Sequence, residues 1–293
     1  MTKILLTGSN GQLGQELQYT LKPLGEVIGI TRQMMDLSQP DQIRQTIQKN
    51  QPNIIVNSAA YTAVDKAESE PDLAFAINGI APTIMAEEAQ KIGAFLLQVS
   101  TDYVFDGTKN TPYFETDTTH PLSIYGQSKL AGEKGIEKHT NAYAILRTAW
   151  VYGTYGKSNF VKTMLKLGQE REQLRIVADQ VGSPTYAQDI ANAIANLLAN
   201  SNVRNTSEIY HFTNSGVASW YDFAVAIFEE AQTLGFPIKV NQVVPITTSD
   251  YPTPAKRPAY SVLSGQKITS ILRNYAPYWR NSLKQMLKQM LEQ

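Results

Sequence analysis

The 293-residue chain contains no cysteine, which excludes disulfides, thiolate metal sites and a cysteine nucleophile. It has no excess of either charge: Lys plus Arg and Asp plus Glu each number 26. No overall field therefore draws it to nucleic acid or to an anionic membrane, and a negatively charged ligand must be held by a local arrangement. Histidine is scarce, and His120, His139 and His211 show no paired helical spacing, so no metal is expected from them. No apolar run reaches the roughly 20 residues that a spanning helix needs. The first residues enter a strand-like run at once, without the apolar stretch of a secretory leader. The expectation is a soluble cytoplasmic protein, long enough for one large α/β domain or two coupled ones.

What is present is a regular alternation. Strand-like runs at Lys3–Thr7, Glu26–Ile30, Ile54–Asn57, Phe95–Ser100 and Ala142–Arg147 are separated by helical patterns near Gly11–Leu21, Pro40–Gln48, Pro71–Ile92 and Ser123–Lys138. Strands apolar on both faces, alternating with helices, predict a Rossmann-like, doubly wound parallel sheet. The second half is less regular. Helices are read near Asn159–Gly168, Tyr186–Ala199, Trp220–Ala231 and Trp279–Leu291, with strands at Leu174–Val177 and Ile209–Phe212. The stretch from Pro237 to Pro258, with five prolines, reads as extended and looping. The expected organisation is a dinucleotide-binding domain over 1–152, with returns near 187–214. A smaller, interleaved C-terminal substrate-binding region takes 153–186 and 215–293.

Gly8-x-x-Gly11-x-x-Gly14 lies between the first strand and the first helix. Glycine at these places permits a tight turn, close approach of backbone amides to a pyrophosphate, and close packing of helix on strand. Free amides at the helix start then hold negative charge. Three glycines alone also fit a turn without ligand; the strand before and helix after favour the dinucleotide reading. Tyr125 and Lys129 lie four residues apart on a predicted helix, one turn apart on one face. Roughly one Tyr-x-x-x-Lys arises by chance in a chain with 15 tyrosines, so its weight comes from position. It follows a strand ending in Ser100-Thr101-Asp102. A hydroxyl, a phenol and an ammonium at the mouth of a dinucleotide fold make a proton-transfer site, in which Lys129 is expected to lower the pKa of Tyr125 and Thr101 to bond a substrate carbonyl. Read alone, Tyr125 also fits core packing and Lys129 a solvated surface.

Taken in order, these segments resemble the extended short-chain dehydrogenase/reductases, and within them the family of dTDP-4-dehydrorhamnose reductases. The resemblance runs nearly end to end: Thr7-Gly8-Ser9-Asn10-Gly11-Gln12-Leu13-Gly14, Asn57 through Glu68, Ser100 through Gly107, Tyr125-Gly126-Gln127-Ser128-Lys129, Arg147 through Tyr152, Asp179 through Thr185, and Arg257-Pro258. It implies reduction of the C4 ketone of dTDP-4-dehydro-β-L-rhamnose to dTDP-L-rhamnose, with Thr101, Tyr125 and Lys129 as the catalytic set. It also implies a cofactor site at Gly8, Asn10, Gly11, Gln12, Leu13, Gly14, Asp36, Leu37, Ala59, Ala60 and Tyr61, shared with Tyr125 and Lys129. The nucleotide sugar is expected near Thr101, Asp102, Trp150, Asn159, Gln180 and Thr185, with Trp220 and Arg257 as further candidates, the latter for a diphosphate.

Charge guides the choice of cofactor. The second strand ends in Thr31-Arg32 with no acid before Asp36, and an arginine there suits a 2′-phosphate, so NADPH is expected ahead of NADH. Some reductases of the resembled family dimerise across magnesium held by acidic residues. The matching positions here are Glu16, Gln188 and Asp189, and the glutamine weakens such a site; a homodimer without it stays open. Two other readings compete. An epimerase of the same fold reuses the tyrosine and lysine, whereas a dehydratase lacks its acid pair because Tyr103 follows Asp102. A non-catalytic subunit, resembling the regulatory partner of methionine adenosyltransferase, has no need of a positioned proton donor.

Overall fold

A computed structural model describes residues 1–292. Six strands form the main sheet: β1 (Lys3–Thr7), β2 (Glu26–Ile30), β3 (Ile54–Asn57), β4 (Phe95–Thr101), β5 (Tyr143–Thr148) and β6 (Ser207–His211). They lie in the order β6-β5-β4-β3-β1-β2, and every pairing is parallel. The alternation predicted from the sequence is therefore the architecture found. β1 shows why: Ile4 and Leu6 face one hydrophobic cluster and Leu5 the other, as a strand covered on both sides requires.

Helix α1 (Gln12–Thr20) and helix α6 (Ala187–Ala199) cover one face through Leu13, Leu17, Leu21, Ile190, Ile194 and Leu197. The other face takes α2 (Pro40–Asn50), α3 (Ala81–Ile92) and α4 (Ile124–His139), with Ile43, Ile47, Ile84, Met85 and Ile136 inward. A third cluster joins α5 (Phe160–Glu170), α7 (Trp220–Thr233) and α8 (Trp279–Leu291), with Leu165, Phe223, Ile227, Leu283 and Leu287 at its centre. No helix among the described residues is long and apolar enough to cross a membrane.

From β1 the chain builds β2 on one side, then crosses back to build β3 on the other. The carboxyl ends of β1 and β3 thus border a crevice at the point where strand order reverses, the place where such sheets bind ligands.

Two expectations need correction. The segment Pro71–Ile92 is not one regular helix: Pro71–Phe75 passes through a widened turn at Ala76–Ile80 before α3 begins. Pro82 has no N–H to donate to the carbonyl of Asn78, so the regular ladder cannot continue through this point. The segment from Pro237 to Pro258 is not wholly looping, because Gln242–Ile246 pairs in parallel with Gln173–Val177. Proline 245 is accommodated because each strand of a two-stranded sheet has a free edge.

Candidate active site

One cavity of about 710 Å³ lies over the carboxyl ends of β1, β3 and β4. At one end the chain turns through Gly8, whose φ of 67° is left-handed. A β-carbon on Gly8 would come 3.0 Å from the Ala59 backbone, and one on Gly14 would come 2.0 Å from the Gly8 carbonyl oxygen. The three-glycine spacing is thereby explained by contact as well as by conformation. Helix α1 starts at Gly11 without a side-chain cap, leaving backbone donors of its first turn for an anion. A pyrophosphate fits this cradle. The Gln12 side chain donates to the Val151 carbonyl at 3.3 Å and accepts from Asn159 at 2.7 Å, tying the glycine loop to the N-cap of α5.

At the outer rim Arg32 and Asp36 lie side by side, with Nε 3.6 Å from the carboxylate. Hydrogen bonds from the Ser38 amide and hydroxyl, the largest influences, hold the Asp36 carboxyl below its usual range. Leu37 is buried beside them. Ala59, Ala60 and Tyr61 form the wall after β3. Asn78, in the widened turn, grips this wall: its side chain accepts from the Tyr61 amide at 2.9 Å and donates to the Tyr61 carbonyl at 3.0 Å. The same amide reaches Ser128 on α4 at 3.1 Å. Sequence reasoning missed Asn78; an asparagine followed by glycine inside an apolar helical pattern, with proline just beyond, was the available signal.

Thr101, Asp102, Tyr125 and Lys129 converge on the same cavity. β4 ends at Thr101, whose hydroxyl donates to Asp102 at 3.1 Å and accepts from the Tyr103 amide at 3.2 Å. The second Asp102 oxygen is buried without a partner, and loss of water pushes this carboxyl up to about 6 against the pull of the Ser261 and Thr101 side chains. Ser123 caps α4 by accepting from the Gly126 amide, which sets Tyr125 in the first turn and Lys129 one turn on. The Lys129 ammonium donates to the Val99 carbonyl at 2.7 Å. Burial pushes it down to about 8, and Glu133 opposes that shift.

Tyr125 departs from the expectation. Desolvation of its hydroxyl pushes it up to about 12, only partly offset by a hydrogen bond with Thr101, and the Asp102 charge adds to the rise. Lys129 is turned toward β4 and exerts no lowering effect on it. The phenol is consequently protonated throughout the neutral range, the state a proton donor needs.

The far end of the cavity is aromatic. Trp150 takes a left-handed φ of 48°, uncommon for a bulky residue and a mark of strain held by its surroundings. Its ring lies against Trp220 on one side, and Gly182 leaves room for the indole, since a β-carbon there would be 2.6 Å from it. Gly8, Asn10, Gly11, Gln12, Leu13, Arg32, Asp36, Leu37, Ala59, Ala60, Tyr61, Thr101, Asp102, Tyr125, Lys129, Trp150 and Asn159, all selected from sequence, line this one space.

The remaining candidates do not line it. Gly14 packs under Gly8, and Trp220 supports Trp150. Gln180 donates to Thr248 at 3.0 Å. Thr185 is fully buried and bonded to the Ser183 carbonyl at 2.9 Å. Arg257 forms a two-pronged pair with Asp65, at 3.0 and 2.8 Å.

A family model described as the RmlD substrate binding domain matches residues 1–292. The dTDP-4-dehydrorhamnose reductase of Escherichia coli K12 is 42% identical over 98% of this chain and 97% of its own length. The chain belongs to this reductase family. The spore coat polysaccharide biosynthesis protein SpsK of Bacillus subtilis is 45% identical over 99% of this chain and 98% of its own. A crystal structure of the dTDP-4-dehydrorhamnose reductase of Bacillus anthracis in complex with NADP superposes with a TM-score of 0.91, at 40% identity, covering 99% of this chain and all of that one (100%). Membership in the reductase family accords with a cavity lined by the glycine turn together with Thr101, Tyr125 and Lys129.

Proposed function

We propose that the protein reduces the C4 ketone of dTDP-4-dehydro-β-L-rhamnose to dTDP-L-rhamnose with NADPH, NADH serving as the weaker alternative. The observation that carries this reading is the sharing of one cavity by the glycine cradle and the Thr101, Tyr125 and Lys129 side chains. NADPH supplies the hydride when bound. Residues Gly8 to Gly14 hold the pyrophosphate, Arg32 pairs with the 2′-phosphate, Asp36 and Leu37 meet the adenine, and Ala59, Ala60 and Tyr61 line the path between.

Chemistry then falls to three groups. Thr101 donates a hydrogen bond to the ketone oxygen and orients it. Tyr125 passes its phenolic proton to that oxygen as C4 is reduced; its high affinity for the proton keeps it loaded at neutral pH. The Lys129 ammonium holds the nicotinamide ribose. Asp102, Trp150 and Asn159 face the nucleotide sugar from the cavity wall. Gln180, Thr185, Trp220 and Arg257, which do not line it, act by shaping the wall.

The test is consumption of NADPH with dTDP-4-dehydro-L-rhamnose, set against its 4-keto epimers, with product identified as dTDP-L-rhamnose. Turnover of the L-rhamno ketone well above the epimers is expected. No turnover of that ketone, with brisk turnover of another, overturns the substrate assignment.

A further inference from the structure

Tyr125, Lys129 and Glu133 follow one another at four-residue intervals on α4, so all three lie along one face. The first two reach the cavity; Glu133 does not line it and is buried with 2% of its side chain exposed. Its carboxylate is nevertheless fully engaged. One oxygen accepts from the Ser100 hydroxyl at 2.5 Å and from Arg147 Nε at 3.0 Å, and the other from a terminal Arg147 nitrogen at 2.6 Å. Ser100 directly precedes Thr101, and Arg147 directly precedes Thr148, the two residues paired at the ends of β4 and β5.

A fully buried ion pair of this kind is poor evidence for stability, because desolvation offsets the attraction. Its position gives it another use. Helix α4 is fastened to the sheet at two successive turns, by Lys129 on the Val99 carbonyl and by Glu133 on Ser100. The two bonds fall on the two residues of β4 that immediately precede Thr101. Because a lone ammonium in so dry a place tends to lose its proton, a carboxylate one turn away also supplies the opposite charge it needs.

We propose that Glu133, clamped between Ser100 and Arg147, is a positioning residue that keeps Lys129 charged and in register with Thr101. The inference rests on the functional reading above, in which a charged Lys129 holds the cofactor ribose. Other groups around Lys129 do not supply the charge. Tyr125 on the same helix is a neutral phenol, and Asp102 at the end of β4, although ionised above about pH 6, exerts no influence on Lys129. Arg147 of β5 is a cation spent on Glu133. His211 of β6, near Arg147, is held neutral by burial and by that arginine, pushed down to about 3.

The experiment is NADPH affinity by fluorescence titration from about pH 6 to about pH 10, on the full chain, the Glu133→Gln variant and the Glu133→Gln/Arg147→Met variant. The double variant removes both buried charges and so leaves no unpaired arginine. Wild-type affinity is expected to fall as pH rises through about 8, where Lys129 loses its proton. That limb should move down by about one pH unit in Glu133→Gln, the scale of removing a nearby opposite charge, by less in the double variant, where the Arg147 cation is lost as well, and should be missing from Lys129→Met. A limb unmoved in folded variants, with only the melting temperature lowered, makes the pair merely structural and overturns the proposal. A wild-type chain that binds no NADPH takes down the functional reading as well, so the two failures are told apart.

Discussion

The Trp150 and Trp220 rings lie parallel, 3.5 Å apart between centroids and 3° apart in plane. One belongs to the segment after β5 and lines the cavity; the other opens α7 and does not. Trp150 sits in a strained backbone conformation, so its ring direction depends on this partner. Trp220→Ala should therefore raise KM for the nucleotide sugar about 2- to 10-fold, the worth of one aromatic pair, with little change in NADPH affinity. Steady-state kinetics with each substrate varied in turn checks this; unchanged KM for the sugar contradicts it.

The glycine cradle makes a sharper prediction. In Gly14→Ala the new methyl would lie 2.0 Å from the Gly8 carbonyl oxygen, a backbone atom that cannot swing aside. The loop and the start of α1 must separate, and NADPH binding should be lost. Fluorescence titration of the variant, with circular dichroism to confirm a folded sheet, reads this out; binding within a few-fold of the natural chain contradicts it.

Arg32 is three-quarters exposed, with 74% of its side chain open to solvent, beside Asp36. A charged hydrogen bond of this sort contributes about 1.5–3 kcal/mol, and exposure places it at the lower end. Arg32→Ala should weaken NADPH about 10-fold and leave NADH nearly unchanged, narrowing the preference between them. Dissociation constants for both cofactors decide it, and an unaltered ratio removes Arg32 from the 2′-phosphate site.

Asp102 links the site to stability. Its carboxyl is pushed up to about 6 from the ordinary 3.8, chiefly by burial. Between those values the folded chain holds a proton that the unfolded chain has released. The contribution is thus complete below about pH 4 and is lost as pH rises through about 6. Wild-type stability should fall by on the order of 3 kcal/mol more than that of Asp102→Asn between about pH 4 and about pH 7. Urea unfolding at both pH values measures the difference; parallel slopes contradict it.

Much of this was legible in the sequence because it is local. The apolar runs of β1, β3 and β4 needed both faces covered, so they announced a parallel sheet, and the glycine spacing and the Tyr125–Lys129 interval, given weight only by their places between these elements, picked out residues that share one cavity. What was not legible depends on distant partners. The pairing of Gln242–Ile246 with Gln173–Val177 joins segments far apart in sequence, and nothing within a proline-rich stretch signals it. The two-pronged pairing of Arg257, read as a diphosphate ligand, with Asp65 nearly two hundred residues away is likewise invisible from the arginine alone. The direction in which Tyr125 shifts is set by how dry its hydroxyl is, and by which way Lys129 turns, neither of which a four-residue interval contains.

The central claim is that Tyr125 gives its proton to the ketone oxygen. Turnover of dTDP-4-dehydro-L-rhamnose by Tyr125→Phe, which keeps the ring and removes the hydroxyl, tests it most directly. A loss of about 10²- to 10⁴-fold in kcat, the range for a positioned acid, is expected, with NADPH affinity within a few-fold of the natural chain. A kcat close to that of the natural chain would contradict the claim.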